Sequence, residues 1–262
     1  MPFFDGRAGR VYYRHWAAAQ PRAALVFLHG FGEHTGLYHR YGAALNARDI
    51  DLWALDEIGH GLSEGQRGNF GSIEDLAANG GMLAGLAEAA APGLPLVVAG
   101  HSLGSLAALY LALDDPARFR GVVISGAPLA PLEWLADALA NGQEEVDLDP
   151  AALSADPFYL DSLENDPLAF TGADVAALFG AAFPPAWRRL ERDLPGLAPL
   201  PVLAVHGGED QVAPIGGLLG WRGRLKSLRV VEFTGSGHDI LNEAVHREVA
   251  ATVADFVLRV SQ

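Results

Sequence analysis

The chain has 262 residues, half of them hydrophobic and 19% charged, with a formal net charge of −14 and no cysteine. That length supports one large α/β domain with a sizeable core, or two small ones. The acidic balance argues against nucleic acid and against strong attraction to anionic lipid headgroups, and the missing cysteines exclude disulfides, thiol chemistry and thiolate metal sites.

The N-terminus, MPFFDGRAGR, lacks the basic-then-apolar layout of a signal peptide. No apolar run reaches the length of a membrane span. A cytoplasmic protein is therefore expected. Val11–Trp16 reads as a strand of an N-terminal hairpin. Sheet strands follow at Ala24–Leu28, Leu52–Leu55, Leu96–Ala99, Val122–Ser125, Val202–Val205 and Leu228–Phe233. Between them lie helical patterns at Tyr38–Arg48, Ile73–Ala91, Leu103–Leu113 and Glu243–Val260. This alternation predicts βαβ units, an α/β fold and a mostly parallel sheet with right-handed crossovers.

One interval breaks the rhythm. No strand-like run appears between Ser125 and Val202. Pro131–Ala140 carries leucines at helical spacing, and Thr171–Asp174 reads as a helix start before Val175–Phe183. Asn141–Pro150 reads as an acidic, loop-like link. A structureless loop this long would be unusual. The interval is expected to be a helical cap inserted after a sheet strand, with residues 1–127 and 201–262 forming the core and 128–200 the cap.

The chemistry concentrates at Gly100-His101-Ser102-Leu103-Gly104, a G-x-S-x-G between a strand and a helix. A serine hydroxyl is a weak nucleophile unless exposed, oriented and given a base. A sharp strand-to-helix turn exposes it, and the helix N-terminus aims N–H groups at developing charge. A second match, Gly61-Leu62-Ser63-Glu64-Gly65, opens into a loop with no helix, so Ser102 is preferred to Ser63.

The base and its orienting acid should follow at strand ends, in the order Ser, acid, His. Asp210, just after Val202–Val205, is favoured over its neighbour Glu209. His238, in the glycine-rich loop after Leu228–Phe233, is favoured over His246 in the closing helix. His29-Gly30-Phe31-Gly32 follows the first central strand and suits an oxyanion hole, with the N–H groups of Phe31 and Leu103 as donors. His29 and His101 read as packing and turn-bracing residues. The nine histidines include no helical i,i+4 pair, so neither a metal nor an organic cofactor is expected.

These segments together resemble a family. HGFGEHTGLY at His29–Tyr38 is similar to the H-G-x-G-E-H-x-G-x-Y segment of the monoacylglycerol lipases of the α/β-hydrolase superfamily. GHGLSEGQRG at Gly59–Gly68 resembles their G-H-G-x-S-x-G-x-R segment, and GHSLGS their nucleophile elbow. NDPLAFTG at Asn165–Gly172 resembles their D-P-L-x-x-x-G cap stretch, and Gly237-His238-Asp239 their closing histidine loop. Three features depart from the pattern: Asp56-Glu57-Ile58 before G-H-G, Ser105 in place of a glycine, and Phe31 in place of a smaller residue.

The resemblance implies an α/β-hydrolase fold with an inserted helical cap. It implies catalysis by Ser102, Asp210 and His238, with oxyanion donors at Phe31 and Leu103 and Ser63 in a structural loop. It implies hydrolysis of an acyl ester, monoacylglycerol first, with a general carboxylesterase or lysophospholipase as alternatives. The cap would then make transient contact with lipid surfaces. A binding protein built on a hydrolase scaffold is the non-enzyme alternative.

Overall fold

The computed structural model describes residues 2–143 and 146–262. Strands β1 (Phe3–Gly6) and β2 (Gly9–Trp16) form the N-terminal hairpin. β3 (Ala23–Leu28) leads through a short 3₁₀ turn to helix α1 (His39–Asn46) and strand β4 (Ile50–Leu55). Helix α2 (Ile73–Ala90), strand β5 (Leu96–His101), helix α3 (Leu103–Asp114) and strand β6 (Val122–Ser125) follow.

The chain then passes through α4 (Glu133–Ala140), β7 (Val146–Asp147), α5 (Pro150–Leu153), α6 (Pro157–Asn165), β8 (Gly172–Ala173) and α7 (Val175–Asp193). It returns to the sheet as β9 (Val202–Gly207), then α8 (Ile215–Leu219), β10 (Leu228–Phe233) and α9 (His246–Val260). Among the described residues, no helix is long and apolar enough to cross a membrane.

The main sheet has eight strands in the order β1-β2-β4-β3-β5-β6-β9-β10. From β4 to β10 every pairing is parallel. The five central strands are buried on both faces, which explains their continuous apolar runs. Alternate residues of β3 serve two cores. Ala24, Val26 and Leu28 pack toward α2 and α3, whereas Leu25 and Phe27 pack toward α1 and α9. Every residue of α3 from Leu103 to Ala112 is buried. The helix that carries the elbow is therefore locked on all sides.

The expected strands hold to within two residues, but the two-residue strands β7 and β8 lie in the interval where none was expected. The helices differ more. α9 starts at His246 instead of Glu243, because the buried Glu243 carboxylate accepts the backbone N–H groups of Ala155 (3.0 Å) and Gly237 (3.2 Å). α7 runs on past Phe183, through Pro184 and Pro185, to Asp193. The two prolines remove helix donors. Continuation instead buries Ala186 and Leu190 and lets Trp187 Nε1 donate to Pro128 O at 2.8 Å. α5 and α6 were not expected. Each begins with proline after an aspartate, Asp149 or Asp156, whose carboxylate accepts N–H groups of the first turn. Residues 144 and 145 of the expected acidic link lie outside the described residues.

Candidate active site

Ser102 connects β5 directly to α3 with φ 49° and ψ −120°, a backbone conformation few side chains adopt. Its N–H donates to Ser125 O at 2.8 Å. The flanking glycines are required by close approach. A Cβ at Gly100 would lie 2.1 Å from Gly104 O, and one at Gly104 would lie 2.2 Å from Leu28 O. Ser105 Oγ lies 2.8 Å from Gly100 O and 3.0 Å from Ser125 O. The residue that departs from the family pattern thus braces the turn.

Asp210 follows β9 and reaches His238 across the strand ends, with Nδ1 to Oδ2 at 2.8 Å. Its Oδ1 accepts the N–H groups of Val212 (2.9 Å) and Ala213 (2.8 Å). His206 Nε2 lies 3.2 Å from Oδ2 and donates to Ala213 O. Burial alone would raise the Asp210 pKa. The facing His238 and His206 rings reverse that effect and hold the carboxyl well below the ordinary range. For His238 the signs are opposite. Burial disfavours the imidazolium, but Asp210, with Asp239 and Glu33 beyond it, raises the pKa to about 9.

The loop after β3 carries Phe31. A buried carboxylate, Glu33, fixes this loop. Its Oε2 accepts the Gly30 N–H (2.7 Å) and the Tyr38 hydroxyl (2.6 Å), and its Oε1 accepts the Tyr159 hydroxyl (2.9 Å). The segment between β6 and β9 is stitched to the same loop. Phe170 N donates to Gly32 O at 3.0 Å, and His34 Nε2 meets Asp166 Oδ2 at 3.0 Å. Gly32 has φ 80°, and a Cβ there would lie 2.0 Å from Phe170 O. The N–H groups of Phe31 and Leu103 have no intramolecular acceptor among the described residues, which leaves them free for an external oxyanion.

Ser102, His238, Gly30, Phe31 and Asp239 line one pocket, roofed by Leu148, Leu153, Leu163, Phe170 and Phe179. Its free volume is about 20 Å³, room for a water molecule and not for an acyl chain. The rival residues lie elsewhere. Ser63 Oγ donates to Asp56 O (2.6 Å) and accepts Tyr12 N–H (2.8 Å), so it closes a loop. Glu209 is exposed, and His246 Nδ1 is turned to Glu243 O. His29 braces its turn, between Gly30 O and the Glu57 N–H.

His101, His238 and Asp239 bring ligand atoms within 4.8 Å of one another. His101 is bonded through both ring nitrogens, to Ser125 and Asp239, and His238 through Nδ1 to Asp210. The roles of Glu33, Tyr159, His206 and Asp239 were not read from the sequence. Glu33 and Asp239 lie within the family-like segments His29–Tyr38 and Gly237-His238-Asp239, whereas nothing in the sequence singles out Tyr159 or His206.

Residues 19–245 match the family described as serine aminopeptidase, S33. The chain is 28% identical to a monoacylglycerol lipase of Mycolicibacterium smegmatis, over 97% of its own length and 95% of the relative's. It is 30% identical to the human monoglyceride lipase, over 77% and 70%. Among solved structures, the monoacylglycerol lipase of Paleococcus ferrophilus superposes with a TM-score of 0.79 at 26% identity, covering 95% of this chain and 99% of that one. The chain belongs to the serine aminopeptidase S33 family and is a monoacylglycerol lipase-like α/β-hydrolase.

Proposed function

We propose that the protein is a serine esterase that hydrolyses monoacylglycerols to fatty acid and glycerol. Ser102 is the nucleophile, His238 the base and Asp210 its orienting acid, with the Phe31 and Leu103 N–H groups as oxyanion donors. Residues 128–200 form a helical cap on a core of residues 1–127 and 201–262. One observation carries this reading: the His238–Asp210 pair and Ser102 converge on one enclosed apolar pocket beside two free backbone donors.

The steps follow from the geometry. Asp210 holds His238 Nδ1, which turns Nε2 toward the pocket. Ser102 Oγ attacks the ester carbonyl carbon while its proton passes to His238 Nε2. The carbonyl oxygen becomes an oxyanion, which the Phe31 and Leu103 N–H groups stabilise in a site free of bulk water. Collapse of the tetrahedral species breaks the C–O bond to the alcohol, and His238 returns the proton to the leaving oxygen. Water, deprotonated by His238, then attacks the acyl-serine. Collapse of the second tetrahedral species releases the fatty acid and restores the Ser102 hydroxyl.

The closed pocket requires residues of the cap to move aside for substrate. The −14 charge makes a neutral glycerol headgroup a better fit than a phosphorylated one. The test is kcat/KM for monoacylglycerols beside lysophospholipids of equal chain length and p-nitrophenyl esters. Preference for the monoacylglycerol supports the reading. Preference for the phosphorylated headgroup assigns a lysophospholipase, and indifference to the alcohol assigns a general carboxylesterase.

A further inference from the structure

A second buried histidine–aspartate pair stands directly behind the candidate triad. His101, the residue before Ser102, bonds Asp239, the residue after His238, with Nε2 to Oδ1 at 3.0 Å. Both side chains are buried, with residue exposures of 1% and 3%. Their bond therefore ties the nucleophile's chain neighbour to the base's chain neighbour, across 138 residues of sequence.

The remaining contacts fix this tie at each end. His101 Nδ1 meets Ser125 Oγ at 2.8 Å, and Ser125 O accepts the Ser102 N–H. Asp239 N donates to Leu153 O at 2.8 Å. Ser125 Oγ has no other acceptor among the described residues. One arrangement therefore satisfies every hydrogen: a neutral His101 that accepts the Ser125 hydroxyl at Nδ1 and donates Nε2–H to Asp239. In that arrangement Asp239 keeps its negative charge beside His238. The His101 and His238 rings are 4.9 Å apart.

We propose that Asp239, held in place by His101, is a positioning residue for His238: it fixes the gap between Ser102 and the base and supplies a second negative charge that favours the imidazolium formed during attack. This inference rests on the triad reading of Ser102, Asp210 and His238. The groups facing His238 are Asp210 from the loop after β9, with His206 behind it, His101 and Ser102 from the elbow, Glu33 from the loop after β3, and Asp239. Tyr38 and Tyr159 face Asp239 and Glu33 and stay neutral, because burial and those charges push both hydroxyls well above their ordinary range. Among these groups, Asp239 and Glu33 add to the field of Asp210 at His238, and only Asp239 is both chain-adjacent to the base and bonded to the elbow.

The test is the pH dependence of kcat/KM in Asp239→Asn and Asp239→Glu, with folding checked by circular dichroism. Asn keeps an acceptor for His101 and removes the charge. The acid limb of the profile should move to lower pH by roughly one unit, and kcat should fall at least several-fold with KM little changed. Asp239→Glu, which restores the charge, should return the limb toward the wild-type position. If Asp239→Asn does not fold, His101→Gln takes its place and should lower kcat with KM unchanged. A folded Asp239→Asn protein with the wild-type limb and kcat overturns the proposal, as does a wild-type kcat in His101→Gln. Fluorophosphonate labelling of Ser102 in the same variants separates the two levels. If wild-type Ser102 takes no label, the triad reading fails. If Ser102 labels and the limb does not move, only the role of Asp239 fails.

Discussion

The Tyr159 hydroxyl on α6 donates to Glu33 Oε1 at 2.9 Å, so a residue between β6 and β9 completes the carboxylate that holds the Gly30–Phe31 loop. Removing that hydroxyl leaves a buried carboxylate oxygen without its donor. Tyr159→Phe should cost roughly 1–3 kcal/mol of stability and lower kcat by loosening the Gly30–Phe31 backbone. Thermal unfolding and steady-state kinetics measure both effects. A variant with wild-type Tm and kcat would show that Glu33 holds the loop without help from α6.

His238 must be neutral to accept the Ser102 proton. Burial disfavours the imidazolium, but Asp210, with Asp239 and Glu33 beyond it, raises the pKa from 6.5 to about 9, so kcat/KM should climb with pH through the neutral range and level off only in the alkaline range. Asp210→Asn removes the charge that raises the pKa. The acid limb should then shift to lower pH while the plateau falls by about 10⁴-fold, since the ring also loses its tautomer lock. Glu209→Gln should change little, because Glu209 is exposed. Equal losses in the two variants would reassign the acid.

Glu57 is fully buried, and neither carboxylate oxygen has a partner among the described residues. Burial, reinforced by Asp56, pushes its pKa well above the ordinary 4.5. The folded state therefore keeps the proton after the unfolded chain has released it. The associated stability is fully present below the unfolded pKa and is lost as pH rises toward the folded pKa. Glu57→Met, which keeps the bulk and removes the ionisable group, should raise Tm at pH 8 more than at pH 4. A difference independent of pH would mean that the carboxyl is ionised in the fold.

Phe31 stacks edge-on against Phe170 (5.3 Å between centroids), Phe179 (5.1 Å) and Phe70 (6.2 Å) at the pocket wall. Its bulk takes space next to the serine. Wild-type kcat/KM should rise with acyl length, at most about 0.8 kcal/mol per methylene, and then fall. Phe31→Ala keeps the backbone N–H and opens the wall, so the maximum should move to longer chains. An unchanged maximum across acyl chains of graded length would place the acyl group elsewhere.

The sheet was legible because its central strands are buried on both faces and read as unbroken apolar runs. The elbow, the Asp210 loop and the His238 loop each follow such a strand, so their positions could be read from chain order. The segment between β6 and β9 was only partly legible. Asp156-Pro157 carries an ordinary helix-start signal, but Pro184-Pro185 carries an ordinary stop signal that tertiary packing overrides in α7. Pairings across long separations left no local trace. Glu33 and Tyr159 are 126 residues apart, and His101 and Asp239 are 138 apart. Nothing near either residue marks it as a partner, and only folding brings them together.

Replacing Ser102 by alanine and following both monoacylglycerol hydrolysis and fluorophosphonate labelling tests the central claim most directly. The account predicts loss of labelling and a fall in kcat of several orders of magnitude, to the residual level that binding and the oxyanion donors supply. Ser63→Ala, whose hydroxyl is bonded to Asp56 O and Tyr12 N, should label normally and keep its chemical step. Full labelling and near wild-type turnover in Ser102→Ala would contradict the account.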